Sequence, residues 1–159
     1  MQTLNLPKAD LKIDRNGGRP TVFDPLRRRH VALTPEEWVR QHFVRFHQDC
    51  RHFPAGAIAN EVTVELNGMR KRCDTLVYGP HAEPLMIVEY KAPSVSITQQ
   101  VFDQICRYNM QLRVRWLVVS NGLQHYCCRI DYRRMTYGFL NDIPCYGELE
   151  DAGISHEPM

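Results

Sequence analysis

The unbroken apolar run from Leu85 to Val88, inside "PLMIVEYKAP", limits the fold of this chain more than any other feature. A strand with one face in water alternates apolar and polar residues; this one does not, so it needs cover on both faces and a central place in a sheet. The flanking segments fit that requirement. "ITQQVFDQICRYNMQL" repeats apolar residues at Ile97, Val101, Ile105 and Tyr108, the period of a helix, and "RWLVVSNG" and "QHYCCRIDY" read as further strands. Upstream, "AIANEVTVEL" and "MRKRCDTLVY" flank Asn67 and Gly68, a pair that suits the positive φ angles of a tight hairpin turn. Earlier still, "LTPEEWVRQHFVRF" opens like a helix, with Thr34 as N-cap, Pro35 in the first turn and Glu37 three residues after the cap. Trp38, Val39, Phe43 and Phe46 form the side expected to be buried. "TVFDPLRRRHVAL" reads as two short strands around a turn at Asp24 and Pro25. Helix, three strands, helix and strands give an α/β fold with a central mixed sheet flanked by helices.

A chain of 159 residues, 43% of them hydrophobic, is expected to form one domain. The expected boundaries are a flexible segment over 1–19, the domain over 20–145 and a tail over 146–159. A formal net charge of +2 gives no bulk argument for a nucleic-acid partner. The local clusters Arg27, Arg28, Arg29 and His30, and Arg70, Lys71 and Arg72, read as solvated turns. The opening "MQTLNLPKADLK" does not read as a secretory signal, and no apolar stretch approaches the roughly 20 residues of a membrane span, so neither is expected. With six cysteines that show neither a CxxC pair nor zinc-site spacing, the expectation is reduced thiols, a cytoplasmic location and no membrane partner. Cys127 and Cys128 should point to opposite faces of a strand, one into the core and one out of it.

The chemistry concentrates where the apolar run ends. Glu89 and Lys91 lie two residues apart, so on a strand both point to one face, about 6 to 7 Å apart along the chain, while Tyr90 points away. Asp74 lies on the preceding strand, and matching registers would bring Asp74, Glu89 and Lys91 to one spot. Two carboxylates are hard oxygen ligands suited to Mg²⁺, with Mn²⁺ as substitute, and the lysine can orient an attacking water or neutralise charge on a phosphate. A bare [DE]-x-K match arises about once by chance at this length. The second match, Asp10 and Lys12, has neither a strand nor an upstream acid. Structural roles compete at each position: a strand-end ion pair for Glu89 and Lys91, a capping box for Glu37, core packing for Tyr108, a solvent-facing edge for Glu61 and Glu65. Asn121 and Gly122 read as a turn, and His125 shows no partner.

Taken together, "VFDPLRRRHVALTPEEWVRQ", "RCDTLVY", "VEYKAP", "DQICRYN" and "VVSNG" resemble the PD-(D/E)XK nuclease superfamily, specifically the N-terminal nuclease domain of type I restriction enzyme R subunits, over roughly residues 21–131. The resemblance implies a restriction-endonuclease-like αβββαβ core and Mg²⁺-dependent cleavage of DNA. It implies Asp74 and Glu89 as metal ligands with the Tyr90 backbone carbonyl as a third, Lys91 as the catalytic lysine, and Glu37 as the acidic residue many members place on the first helix. Gln104 and Tyr108 match the family's Q-x-x-x-Y element and, with the neighbouring Arg107 as a weaker phosphate contact, are the expected DNA-binding residues. Cys73 stands where the superfamily's name has proline. No phosphate-binding motor loop is present, so the expectation is a free-standing nuclease domain acting in restriction or DNA repair. The alternative is a catalytically silent DNA-binding or protein-interaction module of the same fold. A third reading is an RNA-directed nuclease, or a component acting only with a partner subunit or as a homodimer.

Overall fold

In the computed structural model, which describes residues 1–151, the strands form two sheets, one of three strands and one of six. Strands β1 (Ile13–Asp14), β2 (Thr21–Asp24) and β3 (Arg29–Ala32) form a small antiparallel sheet. Helix α1 (Pro35–Arg51) follows, then β4 (Ile58–Leu66), β5 (Met69–Tyr78), β6 (Pro84–Tyr90), helix α2 (Gln99–Met110), β7 (Trp116–Ser120), β8 (His125–Asp131), β9 (Thr136–Leu140) and helix α3 (Tyr146–Asp151). The large sheet runs β4-β5-β6-β7-β8-β9. Only β6 and β7 pair in parallel, because α2 crosses between them; the other neighbours are antiparallel. The αβββαβ order read from the sequence is the order observed, and the sheet is mixed as expected.

Local chemistry sets the helix ends. The Thr34 hydroxyl accepts from Glu37 N at 3.1 Å, and Pro35 occupies the first turn, where its missing N–H is no loss. At the other end His52 turns left-handed (φ 61°) and Phe53 N donates to His47 O at 3.0 Å. Along α1 every residue from Val39 to Val44 is buried, so the helix hides more than the single face its pattern suggested. Part of the reason lies in the first residues of the chain. Trp38 Nε1 donates to Gln2 O at 2.8 Å, Asn5 N donates to Gly122 O at 2.8 Å, and Leu4 and Leu6 pack against the core beneath α1. His125, expected to lack partners, meets Ser120 Oγ through Nδ1 at 2.7 Å and Asn5 O through Nε2 at 2.8 Å.

The large sheet is covered on both sides. Val39 and Phe43 of α1 pack over Val77, Met86, Val88, Tyr90, Val118 and Cys127. Phe102 and Cys106 of α2 pack over Leu76, Ile87, Leu117, Val119 and Cys128. Cys127 and Cys128 do face opposite ways, but both are buried, because the sheet is covered on both faces: Cys127 packs in the cluster with α1 and Cys128 in the cluster with α2. β9 and α3 add to the elements expected from the sequence. Leu149 of α3, beyond the expected domain boundary, is 1% exposed, and Tyr146 OH donates to Tyr78 O at 2.8 Å. Among the described residues no helix is long and apolar enough to cross a membrane, and the six cysteines are free.

One irregularity shapes the site. On β4, Ile58 and Asn60 face α1, yet Val62 and Val64 pack on the α2 side; on β5, Val77 and Thr75 face α1, yet Cys73 packs on the α2 side. Strict alternation would keep each set on one face. The pairing stays in step, Asn60 with Thr75 and Val62 with Cys73, so both strands change face together at Glu61 and Asp74. Glu61 is the residue that absorbs the change, with φ 53° in the left-handed region.

Candidate active site

Met86, Val88 and Tyr90 face α1 while Ile87 faces α2, so the alternation of β6 delivers Glu89 to the α2 side and buries the Tyr90 ring on the other. Tyr90 OH donates to Thr75 Oγ1 at 2.9 Å. Lys91 follows the strand, its N–H fixed to Ser120 O at 2.8 Å, and its side chain shares a cleft with that of Glu89. Asp74 sits where β5 and β6 stop pairing. Thr75 pairs with Val88, and one step further Asp74 Oδ2 replaces the ladder by accepting from Tyr90 N at 2.9 Å. The Asp74 and Glu89 carboxylates are therefore neighbours. Burial, and then the Asp74 charge against the opposing pull of Lys71, pushes Glu89 up to about 7. Asp74, Glu89 and the Tyr90 backbone thus lie together at one strand end, with Lys91 beside Glu89 along the cleft.

The cleft beside them measures about 540 Å³ and is walled by α2. Thr98 caps that helix by accepting from Val101 N at 3.2 Å, and Gln104 and Tyr108 face the cleft on successive turns. Tyr108 is 47% exposed, so it is not core packing. Arg107 is exposed but lies outside the lining of the cleft.

Glu37 is placed differently from its expected role. Its Oε1 accepts from Arg27 and Gln41 and its Oε2 from Arg40, so both oxygens are occupied. The guanidinium of Arg40 continues to Glu61 and lies 3.7 Å from Asp74 Oδ1. Glu37 reaches the carboxylate pair only through Arg40, and neither does its side chain complete a capping box. Burial alone would lower the pKa of Arg40, but Glu37, Tyr90, Glu61 and Asp74 around it raise it instead. Arg27 also binds Asp24, which accepts from Asn60 Nδ2 at 3.0 Å, and Asn60 accepts from Thr75. Arg27 and Lys71, read as members of solvated basic runs, are thus tied into the interior; Arg28, Arg29, Arg70 and Arg72 are exposed. Glu61 is not a free edge residue, because Arg40 and Arg72 both hold it, whereas Glu65 is exposed.

The donor set suits Mg²⁺ or Mn²⁺. Glu89 lines the cleft and Asp74 lies beside it, a pair that could serve a cation that takes one or two protein carboxylates and completes its shell with water and phosphate oxygens. Among the described residues no group of three or more histidine, cysteine or acidic side chains could hold a metal, which does not fit a structural zinc site.

The family model "Type I restriction enzyme R protein N terminus (HSDR_N)" matches residues 35–144, from the first turn of α1 to just before α3. The chain belongs to this family. No curated protein matches the chain. Among solved structures, it is similar to a fragment described as the HsdR subunit of a type I restriction enzyme from Vibrio vulnificus YJ016, with TM-score 0.53 and 21% identity over 78% of this chain and 27% of that one. At that identity the likeness speaks for the fold. A DrdV–DNA complex solved by cryo-EM matches with TM-score 0.44 and 17% identity, over 79% of this chain and 12% of the other. The chain thus spans about a quarter or less of the length of these two solved chains.

Proposed function

We propose that this R-protein N-terminal domain hydrolyses DNA phosphodiester bonds with a divalent cation held between Asp74 and Glu89. The observation that carries the reading is the meeting of those two carboxylates with Lys91 at the end of β6, beside an open cleft. A bound Mg²⁺ or Mn²⁺ would polarise the phosphate and acidify a water. Asp74 and Glu89 supply its carboxylate oxygens, and the Tyr90 carbonyl, on the same strand end, is a third oxygen. Lys91 extends from a backbone pinned to Ser120, so its ammonium can orient the attacking water and neutralise charge on the phosphate in the transition state. Gln104 offers amide donors and an acceptor, and Tyr108 an exposed ring for a base or a hydroxyl for a phosphate, along the wall of the same cleft. Arg107, outside the cleft, is a weaker phosphate contact. Glu37 acts at one remove by bracing Arg40 beside Asp74.

A nicking assay tests this on plasmid, linear and single-stranded DNA and on RNA, with Mg²⁺, Mn²⁺ or chelator, over a range of protein concentrations that exposes any need for a second copy. Metal-dependent cleavage by the parent, lost in Asp74→Ala and in Glu89→Ala, is the expected result. One observation favours a second reading: each carboxylate already has a protein cation, Arg40 beside Asp74 and Lys71 on Glu89. A protein that binds DNA, cuts no substrate and gives the same affinity with metal or chelator would be the silent DNA-binding module.

A further inference from the structure

Lys71 stands near the start of β5 with 9% exposure and three partners. Its ammonium donates to Glu89 Oε1 and to Asn109 Oδ1, the latter at 2.6 Å, and lies 4.7 Å from the centre of the Tyr108 ring. Asn109, 2% exposed, is fixed in turn by its amide donating to Ile105 O at 2.8 Å, so its oxygen is the atom presented to Lys71. This is a built position. Lys71 reaches the α2 side only because β4 and β5 change face at Glu61 and Asp74; with strict alternation it would share the face of Thr75 and Val77. It also lines the cleft with Lys91. The oxygen of Glu89 it occupies belongs to a carboxylate assigned above to the divalent cation, and an ammonium and a divalent cation on one carboxylate repel each other.

We propose, resting on the metal-dependent reading, that Lys71 is a built-in counter-ion that holds Glu89 when no divalent cation is bound and is displaced from Glu89 by that cation. Asn109 Oδ1 and the Tyr108 ring then keep the ammonium in the cleft, where it joins Lys91 as a second cation for the DNA backbone. A partly buried carboxylate without a partner is costly, and Lys71 supplies the partner for Glu89 in the metal-free protein. The metal must compete with it, so metal binding is weaker than the two carboxylates alone would give. In exchange, a cation on Glu89 frees an ammonium for phosphate, and the coupling is reciprocal: bound DNA strengthens the site for metal.

Mn²⁺ titrations followed by electron paramagnetic resonance, with and without a short DNA duplex, test this on the parent, Lys71→Met and Lys71→Arg. Without DNA, Lys71→Met is expected to bind Mn²⁺ about tenfold more tightly than the parent. Lys71→Arg, which keeps the charge, should stay near the parent. With Mn²⁺ present, Lys71→Met should bind DNA several-fold more weakly, its salt dependence reduced by about one phosphate contact. A purely structural lysine would not tighten metal binding when removed. If Lys71→Met, folded as judged by circular dichroism, binds Mn²⁺ no more tightly than the parent, the counter-ion role is overturned while the metal site stands. A parent that binds no Mn²⁺ through Asp74 and Glu89 overturns the underlying reading and this inference with it. Should Lys71→Met not fold, a crystal structure of the parent with Mn²⁺ decides. Lys71 Nζ beyond hydrogen-bond reach of Glu89 but still on Asn109 supports the proposal, and Nζ still on Glu89 beside the ion overturns it.

Discussion

Glu61 on β4 and Asp74 on β5 both lie in the gap between the paired residues Asn60–Thr75 and Val62–Cys73, the point where the two strands exchange the faces they offer to α1 and α2. The left-handed backbone of Glu61 costs about 1 to 3 kcal/mol for a residue with a side chain, and the contacts of its carboxylate with Arg40 and Arg72 help to offset it. Valine, branched at Cβ, tolerates positive φ worst; glycine tolerates it freely. Glu61→Val is therefore expected to lose about 2 kcal/mol or more of stability in urea unfolding, and Glu61→Gly distinctly less. Equal losses would show that the carboxylate, and not the backbone, is what position 61 contributes.

This exchange of faces also explains which parts of the site could be read from sequence. Glu89 and Lys91 obey the two-residue alternation of a strand, and Asn67-Gly68 fixes the hairpin, so the approach of Asp74 to Glu89 was legible. Lys71 was not, because alternation puts it opposite Asp74 and nothing in "NEVTVEL" announces a left-handed glutamate. The Glu37 network was hidden for another reason. Its partners Arg27 and Arg40 come from a turn and from the next turn of the same helix, and charged residues in such places ordinarily face water. β9 carries a weak sequence signal because "TYGFL" is short and holds a glycine.

His47 gives a pH dependence with a definite sign. Its ring is fully buried, stacks on Phe53 with 4.4 Å between centres, and leaves both nitrogens without a hydrogen-bond partner. Burial, with a smaller contribution from Arg51, lowers its pKa from 6.5 to about 3. The unfolded chain takes up the proton first, so this contribution to stability is intact above pH 6.5 and is lost as pH falls toward 3. The loss should approach about 1.4 kcal/mol per pH unit within that window. His47→Phe removes the titration while keeping a ring, so its urea midpoint should fall less between pH 7 and pH 4 than the parent's; parallel curves would exclude His47 as the source.

Gln104 and Tyr108 are exposed along the cleft, and their replacement should barely touch the fold. Gln104→Ala with Tyr108→Phe is expected to stay within about 0.5 kcal/mol of the parent's stability. Fluorescence anisotropy with labelled single-stranded DNA should show several-fold weaker binding, or steady-state cleavage a matching loss, with Mn²⁺ affinity nearly unchanged. A loss of several kcal/mol without a specific effect on DNA would make the pair structural.

Lys91 separates chemistry from metal binding. Its side chain enters the cleft from a backbone held by Ser120, and no oxygen donor is lost when it is shortened. Lys91→Ala should keep the fold and bind Mn²⁺ about as well as the parent, because Asp74 and Glu89 remain. Cleavage should fall by about 100-fold or more, the usual scale for removing a group that stabilises charge developing in a transition state. The comparison with Lys71 makes the assignment sharper, since both ammonium groups line one cleft but only Lys71 touches Glu89. Removing Lys71 should change metal affinity, and removing Lys91 should change turnover. A Lys91→Ala protein that cuts as fast as the parent would reduce Lys91 to a surface cation, and the catalytic ammonium would then have to be sought at Lys71.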